Sequence, residues 1–404
     1  MNFIKMPTAG TPYRCSDLFF AKLGMFRSRR IIDEFSELLK NYLKVDHLAL
    51  VNSGTTANAI IYKVLKDIRK RAEQIEVILP AYTAPSLLLP IKAEGLKAVL
   101  VDIDPETFNL DVKKIKAKIS ENTLAIMPIH MFGLPCEVDS ILEMIHDTDI
   151  FVLEDGASAL GTQVNNQHIG TRAPFGFYSM NRGKNVSTLA GGIITWKDSD
   201  LTPIFEHYLN ELEALSPLAV FVMFLKFSAL TLAVRPLPYT VLNRLISQFK
   251  YTTLHTHFDS FPYTPMQAGL GLNLWKRIEY LDQKRITNGI ALGKTFENRA
   301  GFKIASIPDG AEVAFNQYPV VMSDLDQRAN LMQCIEKQGL EATTLYDHPL
   351  HHIFPNLDDS DSTSDPFPEA TYLAEHLLLI PPHAQIQKKH IKIFQECVNS
   401  ISRA

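Results

Sequence analysis

The chain has 404 residues, 46% of them hydrophobic, which is longer than one hydrophobic core usually grows, so two domains around a large buried interior are expected. Its 40 basic and 44 acidic residues leave a net charge of −4 with no Lys/Arg block, which argues against a nucleic-acid partner. The four cysteines, Cys15, Cys136, Cys334 and Cys397, are far apart and lack metal-ligand spacing, and the first residues lack the apolar run of a secretory leader. Reduced structural thiols, no metal site and a cytoplasmic setting are the expectations.

From about residue 30 to 200, helical and strand patterns alternate, as in a mostly parallel sheet covered by helices. "RRIIDEFSELLKNYLKV" is apolar at helical spacing, "HLALV" reads as a strand and "TTANAIIYKVLKDIRKR" as a helix. Strand "EVILP", helix "SLLLPIKAEG" closed by its glycine, and strand "KAVLVDI" follow. Next come helix "DVKKIKAKI", strand "TLAIMPIH", helix "VDSILEMIHD" and strand "IFVLED". Two further strands, "FGFYSM" and "GGIITW", flank a polar run that holds Lys184.

Beyond residue 200 the rhythm breaks. "ALSPLAVFVMFLKFSALTLAV" (214–234) carries one charge, Lys226, in 21 residues. Three readings stand open for it: a membrane span, a buried or dimer-interface helix, and an exposed apolar surface resting on a membrane. The following "RPLPYTVLNRLISQFK" places Arg235, Arg244 and Lys250 around apolar residues, as an interfacial helix would. From "TPMQAGLGL" to "ENRA" the pattern reads as one long helix leading into a smaller α+β domain with strand "NQYPVVM" and helix "DQRANLMQCIEKQG". The acidic run "NLDDSDSTSD" reads as a mobile loop. The resulting division is 1–250, with an apolar helical insertion at about 205–250, and 251–404.

Three polar features then combine. "NSGTTAN" joins a strand to a helix, so Ser53, Gly54, Thr55 and Thr56 offer hydroxyls and free N–H groups at a helix N-terminus, a phosphate cradle. Asp155 ends a strand, where parallel sheets place ligand-binding groups. Lys184 follows about thirty residues later. Pyridoxal phosphate (PLP) needs these three groups: an amine for its aldehyde, a carboxylate for its pyridine nitrogen and an anchor for its phosphate.

The ordered motifs "NSGTTA", "EVILPAYT", "VDIDPETFNLD", "TLAIMPIHMFGLPCEVDSI", "FVLEDGASALG", "YSMNRGKN", "LAGG", "MQAGLGL", "LYDHPLH" and "LLLIPPH" resemble those of the DegT/DnrJ/StrS-type PLP-dependent sugar aminotransferases. The resemblance implies an α/β fold of type I, with a seven-stranded, mostly parallel sheet in the large domain, and a homodimer. It implies amino transfer, with glutamate as donor, to a keto- or aldehydo-sugar in surface-polysaccharide or amino-sugar synthesis. By resemblance, Lys184 bonds the cofactor's aldehyde carbon, Asp155 pairs with its ring nitrogen, and Thr55, Thr56 and Ser179 hold its phosphate. An amine near PLP and other cationic groups loses proton affinity, which makes Lys184 a nucleophile and then a base. Family members with histidine in place of this lysine are dehydratases, so Lys184 favours transamination.

This chain also departs from the family pattern. Ala84 stands where an aromatic usually stacks on the cofactor ring, leaving Tyr82 or His130 to cover it. Ser158 replaces a usual glutamine, and Ser260 in "FDSFPYT" lies near an asparagine position that serves the partner subunit's phosphate. His130, Asn181 and His351 are candidate substrate contacts, while His383 reads as structural and His348 as a surface or capping residue. With the apolar segment, these departures keep two further readings open: a hydrophobic or lipid-linked carbonyl substrate met through peripheral membrane contact at 214–246, and a regulator of this fold without catalysis.

Overall fold

The computed structural model describes residues 6, 11–70, 75–233, 235, 238–240, 254–357 and 364–401. Most of the interfacial helix expected at 235–250, and six residues of the acidic loop at 356–365, lie outside them. The chain opens with helices α1 (Cys15–Met25) and α2 (Arg30–Leu43), then strand β1 (His47–Val51) and helix α3 (Gly54–Arg69). Strand β2 (Glu76–Pro80), helix α4 (Leu88–Ala93), strand β3 (Lys97–Val101) and helix α5 (Val112–Ile115) follow. Strand β4 (Thr123–Ile126), helix α6 (Val138–Met144) and strand β5 (Phe151–Asp155) lead to a small hairpin, β6 (Gln163–Val164) and β7 (Gln167–His168). Strands β8 (Phe175–Ser179) and β9 (Gly192–Trp196) complete a seven-stranded sheet of order β1-β9-β8-β5-β4-β2-β3. β9 runs antiparallel to both neighbours and the other recorded pairings in the sheet are parallel. The expected α/β architecture is therefore present.

Strands β2, β4, β5 and β8 are almost wholly buried because helices and loops cover both faces, which is why they read as continuous apolar runs. One hydrophobic cluster joins Val77, Leu79 and Leu124 to Phe315, Val320 and Leu379, so packing is continuous from the large sheet into the C-terminal part. A second cluster gathers α1, α2 and the neighbouring helices.

After α7 (Thr202–Asn210) comes α8 (Pro217–Ala233), the heart of the apolar stretch. Among the described residues no helix is long and apolar enough to cross a membrane. α8 buries Phe227 and Thr231 and leans Val220, Met223 and Phe224 on the second cluster, while its other side is open.

The long helix expected from residue 264 is broken. It forms α9 (Pro265–Trp275) and α10 (Ile278–Phe296), because Arg277 leaves helical geometry at φ −132°. Its guanidinium reaches Asp17 Oδ2 at 2.6 Å and the Pro12 carbonyl at 3.1 Å, so contacts with the N-terminal segment hold the break. The C-terminal part packs α11 (Leu325–Lys337), α12 (Leu350–Ile353), α13 (Pro368–His376) and α14 (Lys388–Ile401) around an antiparallel sheet of β10 (Phe302–Ile304), β12 (Tyr318–Met322) and β13 (Leu377–Ile380). The short strand β11 (Ala311–Glu312) joins the β6–β7 hairpin.

The cysteines need a correction. Cys334 on α11 and Cys397 on α14 form a disulfide with Cα atoms 5.7 Å apart, whereas Cys15 and Cys136 are free. A separation of 63 residues concealed this adjacency, which arises only when α11 and α14 pack side by side.

Candidate active site

β5 and β8 are parallel neighbours with Asp155 opposite Phe177, so their C-terminal ends share one edge of the sheet. That register sets Asp155 beside the loop that leaves β8 through Ser179 and carries Lys184. Lys184 Nζ donates to Ser158 Oγ at 2.9 Å. The loop is pinned just after the lysine: Asn185 is buried, and its Nδ2 donates to the carbonyls of Leu160 (2.6 Å) and Ala314 (2.7 Å).

The electrostatics are coupled. Burial lowers the proton affinity of Lys184, and the Asp155 carboxylate opposes that effect without cancelling it. Burial likewise pushes Asp155 above the usual carboxylate range, against the Ala157 N–H bond and the charges of Lys184 and His130. The site thus holds an amine and a carboxyl that both resist charging until a charged partner arrives.

At the adjoining edge, Ser53 caps α3, its Oγ accepting the Thr56 N–H at 3.0 Å and donating to Thr56 Oγ1 at 3.0 Å. Thr56 Oγ1 lies 3.2 Å from Ser260 Oγ. Ser179 faces Gly54 so closely that a Cβ there would stand 3.2 Å from Ser179 Cβ. Ser53, Gly54, Thr56, Ser179 and Ser260 therefore meet at the start of α3, with Thr55 in its first turn. Ser260 thus lies beside the start of α3 in its own chain.

Other candidates fall elsewhere. His130 is fully buried, its Nδ1 accepting the Cys136 N–H and its Nε2 2.9 Å from Glu154 Oε2. Both ring nitrogens are engaged within the protein, and the Nε2 contact positions Glu154. Tyr82 is buried with its ring 6.0 Å from Tyr346. Asn181 is exposed, and its Oδ1 accepts the Arg182 N–H in the turn before Lys184. His351 on α12 pairs with Asp365 at 3.1 Å, and His383 is buried with Nδ1 accepting the Gln385 N–H.

An amine, a buried carboxyl and a hydroxyl-lined helix N-terminus on one sheet edge form the donor set that PLP requires, so the residues present fit the cofactor. The sequence model of the DegT/DnrJ/EryC1/StrS aminotransferase family matches residues 20–211 and 260–399. The chain belongs to this family. Among relatives of the family, the uncharacterized protein MJ1066 of Methanocaldococcus jannaschii is 28% identical over 86% of this chain and 84% of its own length. The GDP-perosamine synthase of Caulobacter vibrioides is 36% identical over 43% of this chain, and that match spans under half (45%) of the synthase. The solved structure of Escherichia coli GDP-4-keto-6-deoxy-D-mannose-3-dehydratase with bound hydrated PLP shares the fold at a TM-score of 0.77 and 18% identity, covering 98% of this chain and 99% of that one.

Three functional neighbours escaped sequence reasoning. Glu154 was visible as a strand-end acid, yet its burial against His130 was not. Asn185 carried no signal beyond standing next to Lys184. Tyr346, in "LYDHPLH", is partly buried and feels the charge of Asp155.

Proposed function

We propose that this chain is a PLP-dependent aminotransferase that moves an amino group from glutamate to a keto- or aldehydo-sugar used in surface-polysaccharide or amino-sugar synthesis. The observation that carries the reading is the Lys184 amine, 2.9 Å from Ser158 Oγ and electrostatically coupled to Asp155. The family, and the printed activity of the perosamine synthase, support the sugar acceptor.

When bound, PLP supplies an aldehyde carbon and a ring that accepts electrons. Lys184 would bond that carbon, Asp155 would hold a proton on the ring nitrogen, and Ser53, Gly54, Thr55, Thr56, Ser179 and Ser260 would bind the phosphate. The depressed proton affinity of Lys184 keeps its amine available as a base, and Ser158 aims it. With PLP and an amino donor bound, the free Lys184 Nζ would be the group that accepts a proton from the donor's α-carbon. Lysine rather than histidine at this position favours amino transfer over dehydration.

The finer partners belong to the same proposal: a second copy of the chain, and a membrane touched peripherally through 214–246. So does the division at residue 250. The test is spectroscopic. Wild-type protein should take up PLP and gain a visible absorbance band, and Lys184→Ala should lose it. Mixing the amino-loaded enzyme with nucleotide keto-sugars should return the band. A colourless wild type that cannot be reconstituted defeats the enzyme reading.

A further inference from the structure

We propose that α1 and α8 together form a platform that docks the protein on an anionic phospholipid surface. This deepens the peripheral membrane contact proposed above and rests on it.

α8 exposes Leu218 (71%), Phe221, Val222, Leu225 and Leu232 (54%) at helical spacing, while Phe227 and Thr231 anchor its opposite side in the core. Its neighbour α1 and the Phe26 that caps it expose a second stripe, Phe19, Leu23 and Phe26, at spacings of four and three residues. The helices pack together: Tyr13 meets Phe227 edge-on with centroids 5.1 Å apart, and Arg235 reaches Cys15 Sγ at 3.1 Å. Seventeen residues of helix rise about 26 Å, short of the ~30 Å hydrocarbon core, and Lys226 stands exposed midway. The helix therefore lies on a bilayer rather than through it.

Charge selects the occupant. Between Glu213 and Arg235 the sequence has no acid and two cations, Lys226 and Arg235, in a chain whose net charge is −4. Arg27, Arg29 and Arg30 follow the α1 stripe, all exposed. Apolar stripes with neighbouring cations fit a surface of acyl chains and phosphate headgroups. A second copy fits poorly, because an isologous contact sets this acid-free stretch against itself. The segment is also outside the shared family pattern, since residues 212–259 fall between the two matched ranges.

The experiment is flotation of the full chain with vesicles of phosphatidylcholine alone or mixed with phosphatidylglycerol. Wild type should float with the mixed vesicles and lose binding in high salt. Phe221→Asp, and separately Phe26→Asp, should lower binding about tenfold or more, the scale of one large apolar side chain withdrawn from an apolar phase. Arg29→Ala and Arg30→Ala should each lower it about fivefold. Circular dichroism melts confirm that the variants fold, and Lys184→Ala should float like wild type, which separates docking from chemistry. Flotation with neither vesicle overturns both the platform and the membrane contact. Equal flotation with both vesicles leaves the contact standing and overturns anionic docking, and indifference to Phe26→Asp overturns the role of α1. If wild type stays down and Phe221→Asp converts a dimer to a monomer in light scattering, the face belongs to a second copy and the proposal falls.

Discussion

Glu154 and Asp155 are consecutive on β5, so their side chains leave the strand on opposite faces and meet opposite fates. Burial raises Glu154, but the His130 bond and charge and the N–H groups of Ala173 and Gly170 outweigh it and hold the carboxyl below its ordinary range. Replacing Glu154 by Ala leaves the His130 Nε2–H and two backbone N–H groups buried without an acceptor. We expect a loss of at least about 3 kcal/mol, measured by denaturant unfolding. Because the folded value is depressed, this stabilisation is present above the unfolded carboxyl value of about 4.3 and fades as pH falls through the folded one, a trend that acid titration of stability should show for wild type and not for Glu154→Ala. Asp155 has one backbone donor and remains raised, the state of a carboxyl awaiting a cation. Asp155→Asn should bind PLP yet lose more than tenfold in turnover, more than ~1.4 kcal/mol of barrier, and a smaller loss in steady-state kinetics removes its assigned role.

Among the described residues, α1 and α9 share the most extensive helix–helix contact. A Cβ on Gly24 would lie 2.2 Å from the Pro265 carbonyl oxygen, and one on Gly269 would lie 2.4 Å from that of Phe20. Both obstacles are backbone, so neither can swing aside. Gly269→Ala should therefore force the helices apart at a cost of about 1–3 kcal/mol, read as a lowered unfolding midpoint. The motif "MQAGLGL" carried part of the family resemblance, but only the packed pair explains its first glycine. Sequence pattern placed α2, α3, α11 and the strands of the large sheet, because amphipathic spacing and apolar runs are local properties. It missed the break at Arg277, because that residue's partners, Asp17 and Pro12, lie some 260 residues away.

For the whole molecule, a homodimer remains the expectation, since a twofold pair is the commonest closed assembly. Light scattering should return twice the chain mass, and the contact should use surfaces other than the α1–α8 platform, so Phe221→Asp should remain a dimer. An active monomer would refute this assembly. It would leave the phosphate cradle intact, because Ser260 already stands 3.2 Å from Thr56 within one chain.

Residue types in order were enough to read an amine, a carboxylate and a phosphate loop, because those three requirements are chemical and each sits in a short local motif. Their convergence came from topology: the parallel register of β5 and β8 and the return of Ser260 to the start of α3 are contacts between distant residues. The same limit hid the Cys334–Cys397 bond and the engagement of both His130 nitrogens. α8 marks the boundary most clearly. Apart from Lys226 its sequence is apolar nearly all round and therefore has little periodicity from which to choose a face. Packing of Phe227 and Thr231 into the core decided which side turned inward, and by elimination which side was left for water or lipid.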